Sequence, residues 1–192
     1  PTRPQPYGVS VDADSLVYFA TSNCKDDSVY RYDPGLQQWR QLNVPNGGTG
    51  RGVAADADSV WVAISGDGQN DWNGGSDRIE QFDRTTLGHV KTHRMPGGRS
   101  PVGVGISFDG SVWAVNQGSE TASRLDLTVP EGDPARWIER QVGSTPYTYS
   151  DFIGFGLNVF TDPRGTYNFV VEGCDGGQAA SWRGVEWQSE EP

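Results

Sequence analysis

Residues 50–63 read Gly-Arg-Gly-Val-Ala-Ala-Asp-Ala-Asp-Ser-Val-Trp-Val-Ala, and two other stretches of the chain carry nearly the same phrase. Pro6-Tyr-Gly-Val-Ser-Val-Asp-Ala-Asp-Ser-Leu-Val-Tyr-Phe-Ala20 precedes it, and Pro101-Val-Gly-Val-Gly-Ile-Ser-Phe-Asp-Gly-Ser-Val-Trp-Ala-Val115 follows it. Aligned on Gly8, Gly52 and Gly103, the copies recur at spacings of 44 and 51 residues. Each phrase holds two short runs of β-branched, aromatic and small apolar residues around a turn rich in Asp, Ser and Gly. Further alternating segments follow at 29–33, 78–83 and 123–127, and then at 39–44, 90–95 and 137–142. Alternation with period two, broken by turn residues about every ten positions, specifies strands. Each copy therefore predicts four strands.

A four-stranded unit with this period is a β-propeller blade, whose first strand lies nearest the central channel. The blades are expected near 6–45, 50–96 and 101–142, making a propeller region of 1–143. The glycine shared by the three phrases then has a reason: with no side chain, it lets the inner strands of neighbouring blades crowd together. Tyr18, Trp61 and Trp113 fall on the second strands and are read as core between blades. Known propellers have about four to eight blades, so the remaining ones are expected outside this sequence, most simply before Pro1. After Val142 the phrase is replaced by two alternating runs around Asp162-Pro-Arg-Gly165 and a third at 182–187, which predicts the start of a β-sandwich-like second domain over 144–192. The fold class expected is all-β, a partial propeller followed by an incomplete second β domain.

Composition agrees with strands and tight turns. Among 192 residues, 26 Gly and 12 Pro disfavour long helices, and 11% aromatic content argues against disorder. A net charge of −10 disfavours a nucleic-acid binder or a partner for anionic membranes. No apolar run approaches the roughly 20 residues of a spanning helix. Cys24 and Cys174 form no CxxC pattern, and a single long-range bridge between them stays open.

Candidate chemistry is sparse. His89 and His93 lie in a strand context, where they stand about 13 Å apart at roughly 3.3 Å per residue, too far to share a zinc; they read as solvated rim residues. The loop from Ser65 to Asp77 is rich in oxygen donors, and Asp67, Asn70, Asp71, Asn73 and Asp77 are the candidate ligands of a Ca²⁺ ion, although the ordered EF-hand spacing is missing. Asp12/Asp14, Asp56/Asp58 and Asp109 recur at each first turn and read as hairpin chemistry. Tyr7, Asn23, Arg51, Trp72 and Asn116 fall at the expected channel mouth. An exposed Trp beside amide and guanidinium groups suits a small molecule, glycan or peptide. The sequence has no Ser-His-Asp set, phosphate-cradling loop or nucleotide fingerprint.

The phrase Pro-x-Gly-Val, repeated three times with Gly50 standing in for Pro in the middle copy and closing on an apolar-aromatic pair, resembles the repeat of the streptogramin B (virginiamycin B) lyase superfamily of propellers, and NHL-type propellers look similar. The resemblance covers about residues 6–142. It implies ring opening of the antibiotic by elimination, with Mg²⁺ and a His base at the top of the channel. Those proteins often carry His at the x position and Glu after the second strand. Here the x positions hold Tyr7, Arg51 and Val102, and Thr21, Ile64 and Asn116 follow the second strands. No catalytic residue is therefore carried over. The tract Pro146-Tyr-Thr-Tyr-Ser-Asp-Phe-Ile-Gly-Phe155 resembles the propeller-to-tail junction of large secreted or lipoprotein-type proteins of myxobacterial kind. The expected function is a non-catalytic binding or scaffold module of an extracellular, periplasmic or surface-anchored bacterial protein that requires no cofactor. The alternatives are an Mg²⁺-dependent C–O lyase whose active-site blades lie elsewhere, and a Ca²⁺-stabilised carbohydrate-binding propeller.

Overall fold

Each copy of the phrase folds into its own antiparallel sheet, because consecutive strands joined by short turns pair with their neighbours in sequence. The computed structural model describes residues 6–21, 28–66, 75–148 and 152. Its first sheet runs β1 (Pro6–Val11), β2 (Val17–Thr21), β3 (Ser28–Asp33), β4 (Gln38–Asn43). The second runs β5 (Thr49–Ala55), β6 (Ser59–Gly66), β7 (Arg78–Asp83), β8 (His89–Arg94), and the third β9 (Pro101–Ile106), β10 (Val112–Asn116), β11 (Thr121–Leu125), β12 (Trp137–Gln141). Strand order within every sheet is chain order, the meander of a propeller blade. Helical structure among the described residues is one 3₁₀ turn, Pro134–Arg136, capped by Asp133 Oδ1 at 2.8 Å from the Ala135 amide. No helix there is long and apolar enough to cross a membrane.

The core sits between sheets, and β6 shows how. Its side chains alternate in direction. Val60, Val62 and Ile64 join Tyr18, Ala20, Val29 and Leu42 of the first blade. Trp61 and Ala63 join Val104, Val112, Ala114 and Leu125 of the third. Both faces of this strand are covered, which is why its centre, 60–64, is an unbroken apolar run and the strand is buried at every position from Ser59 to Gly66. Trp113 stands on the face of blade three corresponding to that of Trp61 and is half-buried; no other described sheet packs there.

The glycine of the phrase does what its position predicted. A Cβ on Gly52 would lie 2.7 Å from the Gly103 Cα and from the Val104 amide nitrogen. These are backbone atoms, which cannot swing aside. A Cβ on Gly103 would meet the Cβ of Thr148 at 3.1 Å and the Phe152 ring at 3.4 Å. The tract after β12 thus continues the series at the channel side, with Thr148 standing where the next copy's glycine falls.

The first-turn aspartates organise their hairpins. Asp12 Oδ1 accepts from the amides of Asp14 (3.0 Å) and Leu16 (2.9 Å), and Asp56 Oδ1 from those of Asp58 (2.9 Å) and Ser59 (2.6 Å). Their second oxygens reach the core aromatics: Asp12 accepts from the Tyr18 hydroxyl at 3.0 Å and Asp56 from the Trp61 indole at 2.8 Å. In blade three Asp109 accepts from the Ser111 amide at 3.0 Å.

One expectation needs correcting. His89 is part-exposed, as a rim histidine should be, and its Nε2 lies 2.8 Å from Glu80. His93 is only 5% exposed, with its ring 5.3 Å from that of Trp61 and its Nε2 3.0 Å from Gln81 Oε1. A bulge between Gln81 and Phe82 breaks the alternation along β8, so the two histidines lie on opposite faces: His89 sits by Glu80 and Phe82, and His93 by Gln81 and Trp61 on the face that packs towards blade three. Burial first, then the charges of Lys91 and Arg136 and the nearby His89, pull its pKa down to about 4, against the opposing pull of Glu131. Unfolded His93 titrates near 6.5, so between these values the unfolded chain binds more protons than the native one. Stability is expected to fall as pH drops from 6.5 towards 4, by at most about 1.4 kcal/mol per pH unit from this proton, and to be insensitive to it outside that window. NMR titration of the ring and urea midpoints across the window check this.

By internal contacts the chain divides into Pro1–Asp162 and Pro163–Pro192, and all the described residues belong to the first unit. The second β domain expected over 144–192 lies outside the described residues except at 144–148 and 152, as do Cys24 and Cys174.

Candidate functional site

The x position of the phrase opens the first strand of each blade, at the end opposite the Asp-bearing hairpin. In blade two it holds Arg51, which is 5% exposed. A buried guanidinium needs acceptors for its fixed fork of donors. Here hydroxyls from three segments supply them. NH1 donates to the Tyr7 hydroxyl on β1 at 2.7 Å and to the Tyr147 hydroxyl beyond β12 at 3.2 Å, while Nε donates to Ser65 Oγ on β6 at 3.2 Å. The guanidinium carbon also lies 5.0 Å from the Tyr7 ring centroid and 5.9 Å from that of Tyr147, within cation–π range. Ser65 in turn donates to the Thr49 carbonyl at 3.4 Å. Tyr147 is 41% exposed.

Of the residues expected at the mouth, the structure brings Tyr7 and Arg51 into direct contact. Asn116 is fully buried at the end of β10, where Nδ2 donates to Ser123 Oγ (2.8 Å) and Thr121 Oγ1 (3.1 Å). Asn23 and Trp72 lie outside the described residues, as do Asp67, Asn70, Asp71 and Asn73 of the expected calcium loop. Asp77, the last of that set, pairs with Arg94 at 2.5 Å, and its carbonyl accepts from the Met95 amide at 2.8 Å.

Tyr147 is the residue that sequence reading passed over. The signal was present: Pro146-Tyr147 follows Pro101-Val102 by 45 residues, the repeat spacing, and repeats the Pro-Tyr of Pro6-Tyr7. What hid it was Thr148 standing in place of the phrase's glycine.

The three meandering sheets, packed through glycine-lined inner strands, define the class: β-propeller blades. No family model matches the chain, and no curated protein matches it in sequence. Solved structures do match in fold. Virginiamycin B lyase from Staphylococcus aureus, in selenomethionine-substituted form, is similar with a TM-score of 0.57 at 16% identity, over 74% of this chain and 44% of that one. A catalytically inactive variant of the lyase with quinupristin gives 0.56 at 16% identity, over 77% and 45%. Hydrazine synthase from Kuenenia stuttgartiensis gives 0.53 at 17% identity, over 67% and 34%. The chain spans less than half the length of each, and the likeness is one of streptogramin-lyase-like propeller fold.

No His and no carboxylate hydrogen-bonded to Arg51 is found at the mouth among the described residues. A guanidinium stands there among hydroxyls, whereas Mg²⁺ takes carboxylate, phosphate and water oxygens. Among the described residues no three His, Cys, Asp or Glu side chains gather to hold a metal ion.

Proposed function

We propose that this chain is a non-catalytic binding or scaffold module of a secreted or surface bacterial protein, taking a small molecule, glycan or peptide at the propeller mouth without a resident metal. The convergence of Tyr7 and Arg51 from two successive copies of the repeat with Tyr147 from the tract after the third carries this reading. A guanidinium with two phenols offers directional donors and flat aromatic faces, the combination that orients a hydroxylated or carboxylate-bearing ligand. Tyr7, Arg51 and Ser65 stand on strands, so that part of the clasp is set before a ligand arrives, which lowers the cost of ordering on binding.

The test is a glycan and dipeptide screen by calorimetry on the intact protein, with a streptogramin B turnover assay in Mg²⁺ on the same preparation. The expected result is no turnover and a ligand whose affinity drops at least about tenfold, or roughly 1.4 kcal/mol, in Arg51→Gln. Tyr147→Phe, which keeps the ring and loses the hydroxyl, is expected to cost about threefold to tenfold. Turnover abolished by EDTA overturns the non-catalytic reading in favour of a lyase. Binding indifferent to Arg51→Gln moves the site away from the clasp.

A further inference from the structure

The two seams between blades are closed differently at the hairpin end, the end of the inner strands opposite Arg51. Between blades one and two, Arg84 reaches across from the turn after β7. Its NH1 lies 2.8 Å from Asp12 Oδ2 and 2.7 Å from Asp14 Oδ2, and its Nε donates to the Ala57 carbonyl at 2.8 Å. The repeat supplies the same acidic pair one blade on, as Asp56 and Asp58. It does not supply the cation. Ser59 pairs with Asp83, and Val112 with Leu125, so Asp126 is the counterpart of Asp83 and Leu127 that of Arg84.

A second position could have neutralised the pair, and it too is uncharged. Blade three carries Arg124 opposite Trp113, and this arginine holds Asp109 at 2.8 Å and Asp126 at 3.3 Å. The corresponding residue opposite Trp61 is Gln81, which donates to Ser59 Oγ at 2.9 Å. Among the described residues no ion pair reaches Asp56 or Asp58. A groove of about 450 Å³ remains, floored by Trp61, Ile106, Phe108 and Leu127 and edged by the two aspartates. Phe108 is 75% exposed and Leu127 38%. That volume lies in the range of ligand sites, about 300–1,000 Å³.

We infer that this groove binds the arginine side chain of a partner polypeptide, flanked by an apolar residue. The guanidinium takes the place between the blades that Arg84 fills one seam earlier, and the apolar neighbour packs on Leu127. Arginine fits better than lysine because its planar fork engages paired carboxylates and stacks on an aromatic face. The net charge of −10 favours the approach of a cationic segment.

The probes are acetyl-Leu-Arg-Leu-amide and its counterpart with neutral citrulline in place of arginine, titrated into the intact protein and followed by NMR at the Trp61 indole N–H and the amides of Asp58 and Ser59. The arginine peptide is expected to shift these resonances, the citrulline peptide to bind at least about tenfold more weakly, and 0.5 M salt to weaken the former. Asp58→Asn, on an exposed turn, is expected to lower affinity about threefold to tenfold. Leu127→Arg is expected to abolish binding and raise the melting temperature by supplying the guanidinium from within. Equal binding of both peptides, unchanged affinity in Asp58→Asn, or no shifts at millimolar peptide overturns the proposal. Arg51→Gln, at the far end of the strands, leaves this binding intact, so the two sites are tested separately.

Discussion

Replacing Arg78 by alanine is expected to destabilise the protein by about 3–5 kcal/mol, the usual consequence of leaving one member of a buried ion pair without its partner. Arg78 is 2% exposed and Glu80 fully buried, with NH1 3.3 Å from Glu80 Oε1. The same guanidinium holds the connector from blade one to blade two, donating to the carbonyls of Pro45 at 3.0 Å and Gly47 at 2.9 Å. That connector has no slack. Gly48 adopts φ +111°, and a Cβ there would stand 2.5 Å from the Gly66 carbonyl and 2.7 Å from Arg78 NH2. Without Arg78, the Glu80 carboxylate keeps only His89 at 2.8 Å and Thr92 Oγ1 at 2.7 Å, both from β8. Urea denaturation followed by circular dichroism reads the loss as a lower midpoint at unchanged slope. The double variant Arg78→Met, Glu80→Leu is expected to recover a large part of it, because neither charge is then stranded. A midpoint unchanged in Arg78→Ala would mean that water reaches this pair and that the pair does not lock the blades.

Trp61→Ala is expected to cost a similar amount, about 3–5 kcal/mol, by a different route. Among the described residues Trp61 is the largest fully buried side chain, and it fills the seam between blades two and three in one cluster with Met95, Val104 and Val112. Its removal leaves a cavity between two sheets whose backbones already touch at Gly52 and Gly103, so the walls cannot close on it. It also strips Asp56 Oδ2 of its 2.8 Å indole donor and His93 of its ring neighbour. Trp61→Phe keeps most of the volume and loses the hydrogen bond, and is expected to cost about 1–2 kcal/mol. If the two variants proved equally costly, the hydrogen bond to Asp56 rather than packing would dominate this seam.

Much of this architecture is legible in the chain because it is written locally and three times over. Period-two alternation between Asp- and Gly-rich turns decides strands, their number per copy decides a blade, and the spacing of 44 to 51 residues decides a propeller. Even the contact of Gly52 with Gly103 follows, since the repeat places a residue without a side chain wherever inner strands meet. The alternation cannot say which apolar residue faces which neighbour. Val60 and Trp61 are equally hydrophobic to the eye, yet one belongs to the first seam and the other to the second.

The polar chemistry was the least legible part, for the same reason. Arg51 and Tyr147 lie 96 positions apart, and Arg84 finds its aspartates 72 and 70 positions back. His93 is withdrawn from water by residues from a later blade. A repeat determines what each blade is, because strand pairing and turn geometry depend on neighbours in sequence. Which charges are buried, which are matched and which seam stays open depend on side chains that meet only when blades pack face to face, and a single exchange such as Leu127 for the counterpart of Arg84 changes that outcome without disturbing the blade that carries it.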